Sequence, residues 1–178
     1  NALSLRRKLI DNGVAMLSDS VGLGKTVTAA AIIDQYIKEE KDNITLILPA
    51  SLQNQWIEEL ESEPWNLRMG RDFNIFTQEN INKLEEATEK SLTKKGYESG
   101  VDLFIIDEAH NLRNTNSKRY DAVLEYLQAN PASEVLLLTA TPINNSLMDF
   151  SSQIQLGSKG ELSSYKVKYK SSPKARSE

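Results

Sequence analysis

Five short apolar runs punctuate the chain, with polar, helically patterned stretches between them. Val14-Ala15-Met16-Leu17, Ile44-Thr45-Leu46-Ile47-Leu48, Phe73-Asn74-Ile75-Phe76, Val101 to Ile106 and Val135-Leu136-Leu137-Leu138 each read as a strand, the second stopped by Pro49. Near-continuous apolar runs suit strands covered on both faces, as in parallel sheets. After Lys25, residues Val27, Ala30, Ala31, Ile33, Tyr36 and Ile37 fall near helical spacing, up to the polar run 38–43. Ser51 is expected to cap a helix carrying Leu52, Trp56 and Leu60, with Glu58, Glu59 and Glu61 towards solvent. Ile81, Leu84 and Thr88 predict another helix, Tyr120, Val123, Leu124 and Leu127 a further one, and Leu147, Phe150 and Ile154 the last. Strands alternating with helices predict an α/β domain with a mainly parallel sheet flanked by helices. From Gly157 the chain turns polar and rich in Lys and Ser, so 1–156 reads as one lobe and 157–178 as a basic tail or linker.

Composition narrows the classes. The 178 residues fit one domain, and 39% hydrophobic residues can supply a core. Eight Gly and five Pro exclude a collagen-like chain. With no Cys there is no disulfide framework, cysteine zinc site or thiol nucleophile, and an intracellular, reducing compartment is expected. A single His excludes multi-histidine metal sites. No apolar run reaches membrane-spanning length, and the first residues lack an apolar signal core. The chain does not begin with Met and is expected to be a piece of a longer protein. Its net charge of −4 is uneven: residues 157–178 carry +4, leaving −8 elsewhere. A negative total governs solubility and steering but leaves room for a local phosphate-binding track.

Three segments carry candidate chemistry. The strongest runs from Ser18 through Asp19, Ser20, Val21, Gly22, Leu23, Gly24, Lys25 and Thr26, where a predicted strand meets a predicted helix. Glycines let the backbone wrap phosphate oxygens, and the helix N-terminus faces the anion. Lys25 would reach the β- and γ-phosphates of ATP, and the Thr26 hydroxyl would ligate Mg²⁺. Asp19 stands where the general phosphate-loop pattern has Gly; a plain glycine turn with an incidental Lys-Thr is the bland alternative. The second segment ends an apolar strand in Asp107 and Glu108, placing two carboxylates at the edge where α/β sheets bind ligands. Asp107 would hold Mg²⁺ through water, and Glu108 would orient and deprotonate an attacking water. A charged, helix-capping turn is the alternative. The third, Thr139-Ala140-Thr141 before Pro142, could switch hydrogen bonds between a nucleotide site and a neighbouring surface, or be ordinary turn chemistry.

The succession GLGKT, PASLQNQW, DEAH, Asn111-Leu112-Arg113-Asn114 and TATPINN resembles superfamily II helicases and translocases, most closely the SWI/SNF-like DNA translocases. That family typically reads DEMGLGKT where this chain has DSVGLGKT, and TGTPLQN where it has TATPINN. The resemblance spans about residues 14–150 and implies a RecA-like P-loop NTPase lobe, the first of two. It implies ATP hydrolysis to ADP and phosphate, with Mg²⁺, driving movement on double-stranded DNA. The second lobe of a longer chain would supply an arginine finger, and a protein is a possible substrate for remodelling. It also implies that Pro49, Ala50 and Ser51 approach the DNA backbone, with Arg113 and Asn114, and more weakly Lys118 and Arg119, near the track. His110 would couple the nucleotide site to Thr139 or Thr141. Trp56 and Trp65 read as packing residues. Two alternatives stay open: the motor subunit of a restriction or repair helicase, and a nucleotide-sensing scaffold without turnover, against which intact Lys25, Asp107 and Glu108 argue.

Overall fold

The computed structural model describes residues 2–18, 24–93, 100–139 and 147–160. All five expected strands form: β1 (Val14–Ser18), β2 (Ile44–Leu48), β3 (Asn74–Thr77), β4 (Leu103–Ile106) and β5 (Glu134–Thr139). They make one parallel sheet in the order β1-β5-β4-β2-β3. Among the described residues six α-helices accompany them: α1 (Ala2–Asn12), α2 (Gly24–Lys38), α3 (Gln53–Glu61), α4 (Ile81–Thr93), α5 (Lys118–Gln128) and α6 (Leu147–Gly157).

Strand alternation sorts the apolar runs into two cores. Ile44, Leu46, Leu48, Leu103, Ile105, Leu136 and Leu138 face α1, α2 and α3. Ile47, Phe104, Ile106, Val135 and Leu137 face the other side, with α4, α5 and the end of α6. Covering both faces is what removed the usual polar alternation from the strands.

Three features differ from the sequence reading. Helix α1 was not expected; it buries Leu5, Leu9 and also Arg6. Arg6 lies over the Tyr36 ring, 3.9 Å from its centroid, and pairs with Glu39 and, at 3.3 Å, with Glu134. The Tyr36 hydroxyl donates to the same Glu134 carboxylate, and burial first, then that carboxylate, raises the phenol pKa. Ser51 does not cap a helix. The chain leaves Pro49 in an extended conformation, makes a 3-10 turn over Ala50–Leu52 and enters α3 with no side-chain cap. A carboxylate from elsewhere, Glu79, takes the Ala50 amide instead (3.0 Å).

The described fold continues past residue 156. Gly157 ends α6 against the sheet, Ser158 is buried, and the Lys159 ammonium donates to the carbonyls of Pro131 (2.9 Å) and Ser133 (2.7 Å). A Cβ built on Gly157 would lie 2.6 Å from Val14 Cγ2 and 3.2 Å from Leu137 Cδ1. Gly157→Ala is therefore expected to destabilise the lobe by about 1–3 kcal/mol through overpacking, read as a lower urea midpoint with an unchanged m-value.

Candidate active site

The described candidate residues gather at one edge because every strand points the same way. At its C-terminal end β1 leads towards residues 19–23, β5 ends in Thr139, β4 runs into Asp107, β2 into Pro49 and β3 into Gln78. Asp19, Ser20, Val21, Gly22 and Leu23 lie outside the described residues, as do Ala140 and Thr141.

Gly24, Lys25 and Thr26 form the first turn of α2. Lys25 is only 6% exposed and Thr26 is buried beside it. Among the described residues Lys25 has no ion-pair partner. A buried ammonium without a counter-charge is costly, so an anion in this position would be strongly favoured.

Asp107 is held from four directions. Its amide donates to the Ile47 carbonyl (2.9 Å), and its own carbonyl accepts from Gln78 Nε2 (2.8 Å). Oδ1 accepts from the Glu108 amide (2.8 Å), and Oδ2 accepts from the indole N–H of Trp56 (2.8 Å). The carboxylate is 6% exposed and, like Lys25, has no ion-pair partner among the described residues. Each oxygen keeps a further lone pair. No cluster of three or more His, Cys, Asp or Glu exists among the described residues. One carboxylate and one hydroxyl, with the remaining ligands from water and phosphate, is the donor set that Mg²⁺ takes and that a dedicated protein cage does not resemble. Thr26 and Asp107 therefore fit Mg²⁺.

Glu108 adopts a left-handed backbone (φ 50°, ψ 44°), a conformation that costs a non-glycine residue roughly 1 kcal/mol or more. It turns the chain abruptly into the short helix Ala109–Leu112. Its carboxylate Oε2 then meets His110 Nε2 at 3.0 Å, and His110 Nδ1 meets the Thr139 hydroxyl at 3.2 Å. An ionised carboxylate only accepts, so Nε2 carries a proton; in the neutral ring Nδ1 accepts from Thr139. Thr139 is itself buried. The three side chains join the end of β4 to the end of β5.

The expected backbone-contacting residues lie further along the edge. Ser51 is exposed, as are Arg113 and Asn114. Asn114 Oδ1 accepts from the Asn116 amide, and Ser117 caps α5 through the Tyr120 amide. Two contributors were missing from the sequence reading: Trp56, taken only for packing, and Gln78. Both reach Asp107 from distant elements, and no local spacing announces such contacts.

The fold is that of the RecA-like α/β lobes of superfamily II motors, with its candidate chemistry at the strand ends. Comparison with known proteins narrows this class. The chain belongs to the family described as "Type III restriction enzyme, res subunit", which it matches over residues 7–144. It is 33% identical over 169 residues to an uncharacterized ATP-dependent helicase, YqhH, of Bacillus subtilis, covering 91% of this chain and 29% of that protein. It is 32% identical over 150 residues to the RNA polymerase-associated protein RapA of Photobacterium profundum, covering 71% of this chain and 15% of that one. Among solved structures, the Sulfolobus solfataricus SWI2/SNF2 ATPase core in complex with dsDNA superposes with a TM-score of 0.71 at 26% identity, covering 89% of this chain and 34% of that chain. The solved structure among these likenesses is a SWI2/SNF2 ATPase core, and one of the sequence relatives is an ATP-dependent helicase. The chain spans about a third or less of each relative. Among the described residues no helix is long and apolar enough to cross a membrane.

Proposed function

We propose that this lobe is the nucleotide-binding half of an ATP-dependent motor that moves along double-stranded DNA. The observation that carries the reading is the pair of buried charges at one sheet edge, Lys25 at the start of α2 and Asp107 at the end of β4, neither with an ion-pair partner among the described residues. Lys25 binds the terminal phosphates and neutralises their charge. Thr26 and Asp107 would hold Mg²⁺, which would supply charge stabilisation to the phosphates. Glu108 orients a water and takes its proton, with His110 holding the carboxylate in place. Catalysis is then positioning and electrostatics. A second lobe supplies the opposing arginine, worth about 10³–10⁵ in rate in phosphoryl transfer. Support for the partner comes from the SWI2/SNF2 core solved with dsDNA, and a protein substrate is in keeping with the RapA likeness.

The test is phosphate release by the full-length protein with and without long duplex DNA. Stimulation is expected, and DNA-independent or absent turnover would overturn the motor reading. The family's description favours a second reading, the motor subunit of a restriction enzyme; cleavage of duplex DNA during turnover would select it.

The residues facing the DNA carry a further expectation. Pro49 has no N–H, and the Ala50 amide is occupied by Glu79, so a phosphate docking on that amide must displace a carboxylate. Glu79→Gln keeps the acceptor and removes its charge. Duplex affinity is expected to rise about two- to fivefold at low salt, with the gain shrinking as salt screens the repulsion. Fluorescence anisotropy with a labelled duplex across a salt series reads this out; an unchanged affinity would separate this turn from the DNA track.

A further inference from the structure

The indole of Trp56 is 1% exposed, and its ring packs in the core that joins α3 to the sheet. For packing alone a phenyl ring would serve, with no N–H to satisfy. Here the N–H leaves the apolar core at one point, where it meets Asp107 Oδ2 at 2.8 Å. The other oxygen is already fixed by the Glu108 amide, so the indole removes the remaining rotational freedom of the carboxylate.

We propose that Trp56 is a positioning residue for the Mg²⁺-nucleotide site: its N–H pre-orients Asp107 before nucleotide arrives. The proposal rests on the reading of Asp107 as the Mg²⁺-holding carboxylate. Gln78 acts in the same sense on the main chain, holding the Asp107 carbonyl while its own Oε1 is buried without a partner. Asp107 is thereby gripped from α3 and from the end of β3, two elements that contain no phosphate-binding residue.

The experiment measures binding rather than turnover. Fluorescent ADP is titrated onto the full-length protein at a series of Mg²⁺ concentrations and, separately, in EDTA. Trp56→Phe removes the N–H, and Trp65→Phe removes a matched indole that donates to Glu59 (3.1 Å) away from the site. Incorporation of 3-benzothienylalanine at position 56 keeps the bicyclic shape and lacks only the N–H, so lost packing is distinguished from lost positioning. Loss of an outer-shell partner typically lowers metal affinity by about 10–100-fold. Half-saturating Mg²⁺ is therefore expected to rise about tenfold in both position-56 variants, with binding in EDTA unchanged and the Trp65 variant like the parent. A parent that responds to Mg²⁺ alongside an unshifted benzothienyl variant overturns the role of Trp56. A parent whose nucleotide binding ignores Mg²⁺ overturns the reading of Asp107 and the proposal with it.

Discussion

Lys25→Ala is expected to abolish ATP hydrolysis by the full-length protein, with a loss of at least about 10²–10³-fold. The ammonium is the one charge on the first turn of α2, and it is buried without a described counter-ion. Its removal orphans no partner among the described residues, so the fold should survive. The expected signature is thus a near-parental melting temperature together with lost turnover and weakened binding of nucleotide. Phosphate release at the parental rate would refute the phosphate-loop assignment of residues 18–26.

Glu108→Gln is expected to separate binding from chemistry. A general base contributes about 10²–10⁴ to the rate, and glutamine keeps the shape while losing the basicity. It also keeps an acceptor for His110 Nε2 and tolerates the same backbone, so the link to Thr139 stays intact. Nucleotide should bind with near-parental affinity while hydrolysis falls by that factor. Parental turnover in single-turnover kinetics would remove Glu108 from the chemistry. The neighbouring exchange is not equally clean. Both Asp107 oxygens accept from N–H donors, so in Asp107→Asn the amide nitrogen faces a donor in either orientation. That exchange confounds lost metal binding with an unsatisfied buried donor costing about 1–3 kcal/mol.

The strands were legible because burial on both faces leaves an unbroken apolar run, and each of the five lies within a residue or two of its expected place. Helices α2, α4 and α5 were legible from spacing. Helix α1 was not, because its stripe is short and it buries Arg6, whose tolerance depends on Glu39 and Glu134 far along the chain. The start of α3 was misread for a related reason: Ser51 has the right chemistry for a cap, but Glu79 reaches the turn first. The composition at Lys159 does not announce its carbonyl partners at Pro131 and Ser133, which lie far back in the chain. Within the site, adjacency in sequence revealed Asp107 and Glu108 together. The grip of Trp56 and Gln78 on Asp107 depends on strand order, which apolar patterning does not encode.

That strand order also bears on how the lobe is made. Among the described residues β1, which leads into the proposed phosphate loop, pairs with β5 alone: Val14 lies against Val135 and Ser18 against Thr139. During synthesis β1 must therefore wait for β5, which follows the other described strands. The segments from β2 to β4 can pair among themselves meanwhile, since β2 contacts both β3 and β4. Such long-range parallel closure is slow, and until it occurs an apolar strand edge is open to other chains. A nascent chain stalled before residue 134 would hold a half-built sheet with its nucleotide loop unanchored. Nucleotide affinity should then appear abruptly, at the end of folding, and ATP present at that moment would favour the closed sheet over the open one by mass action.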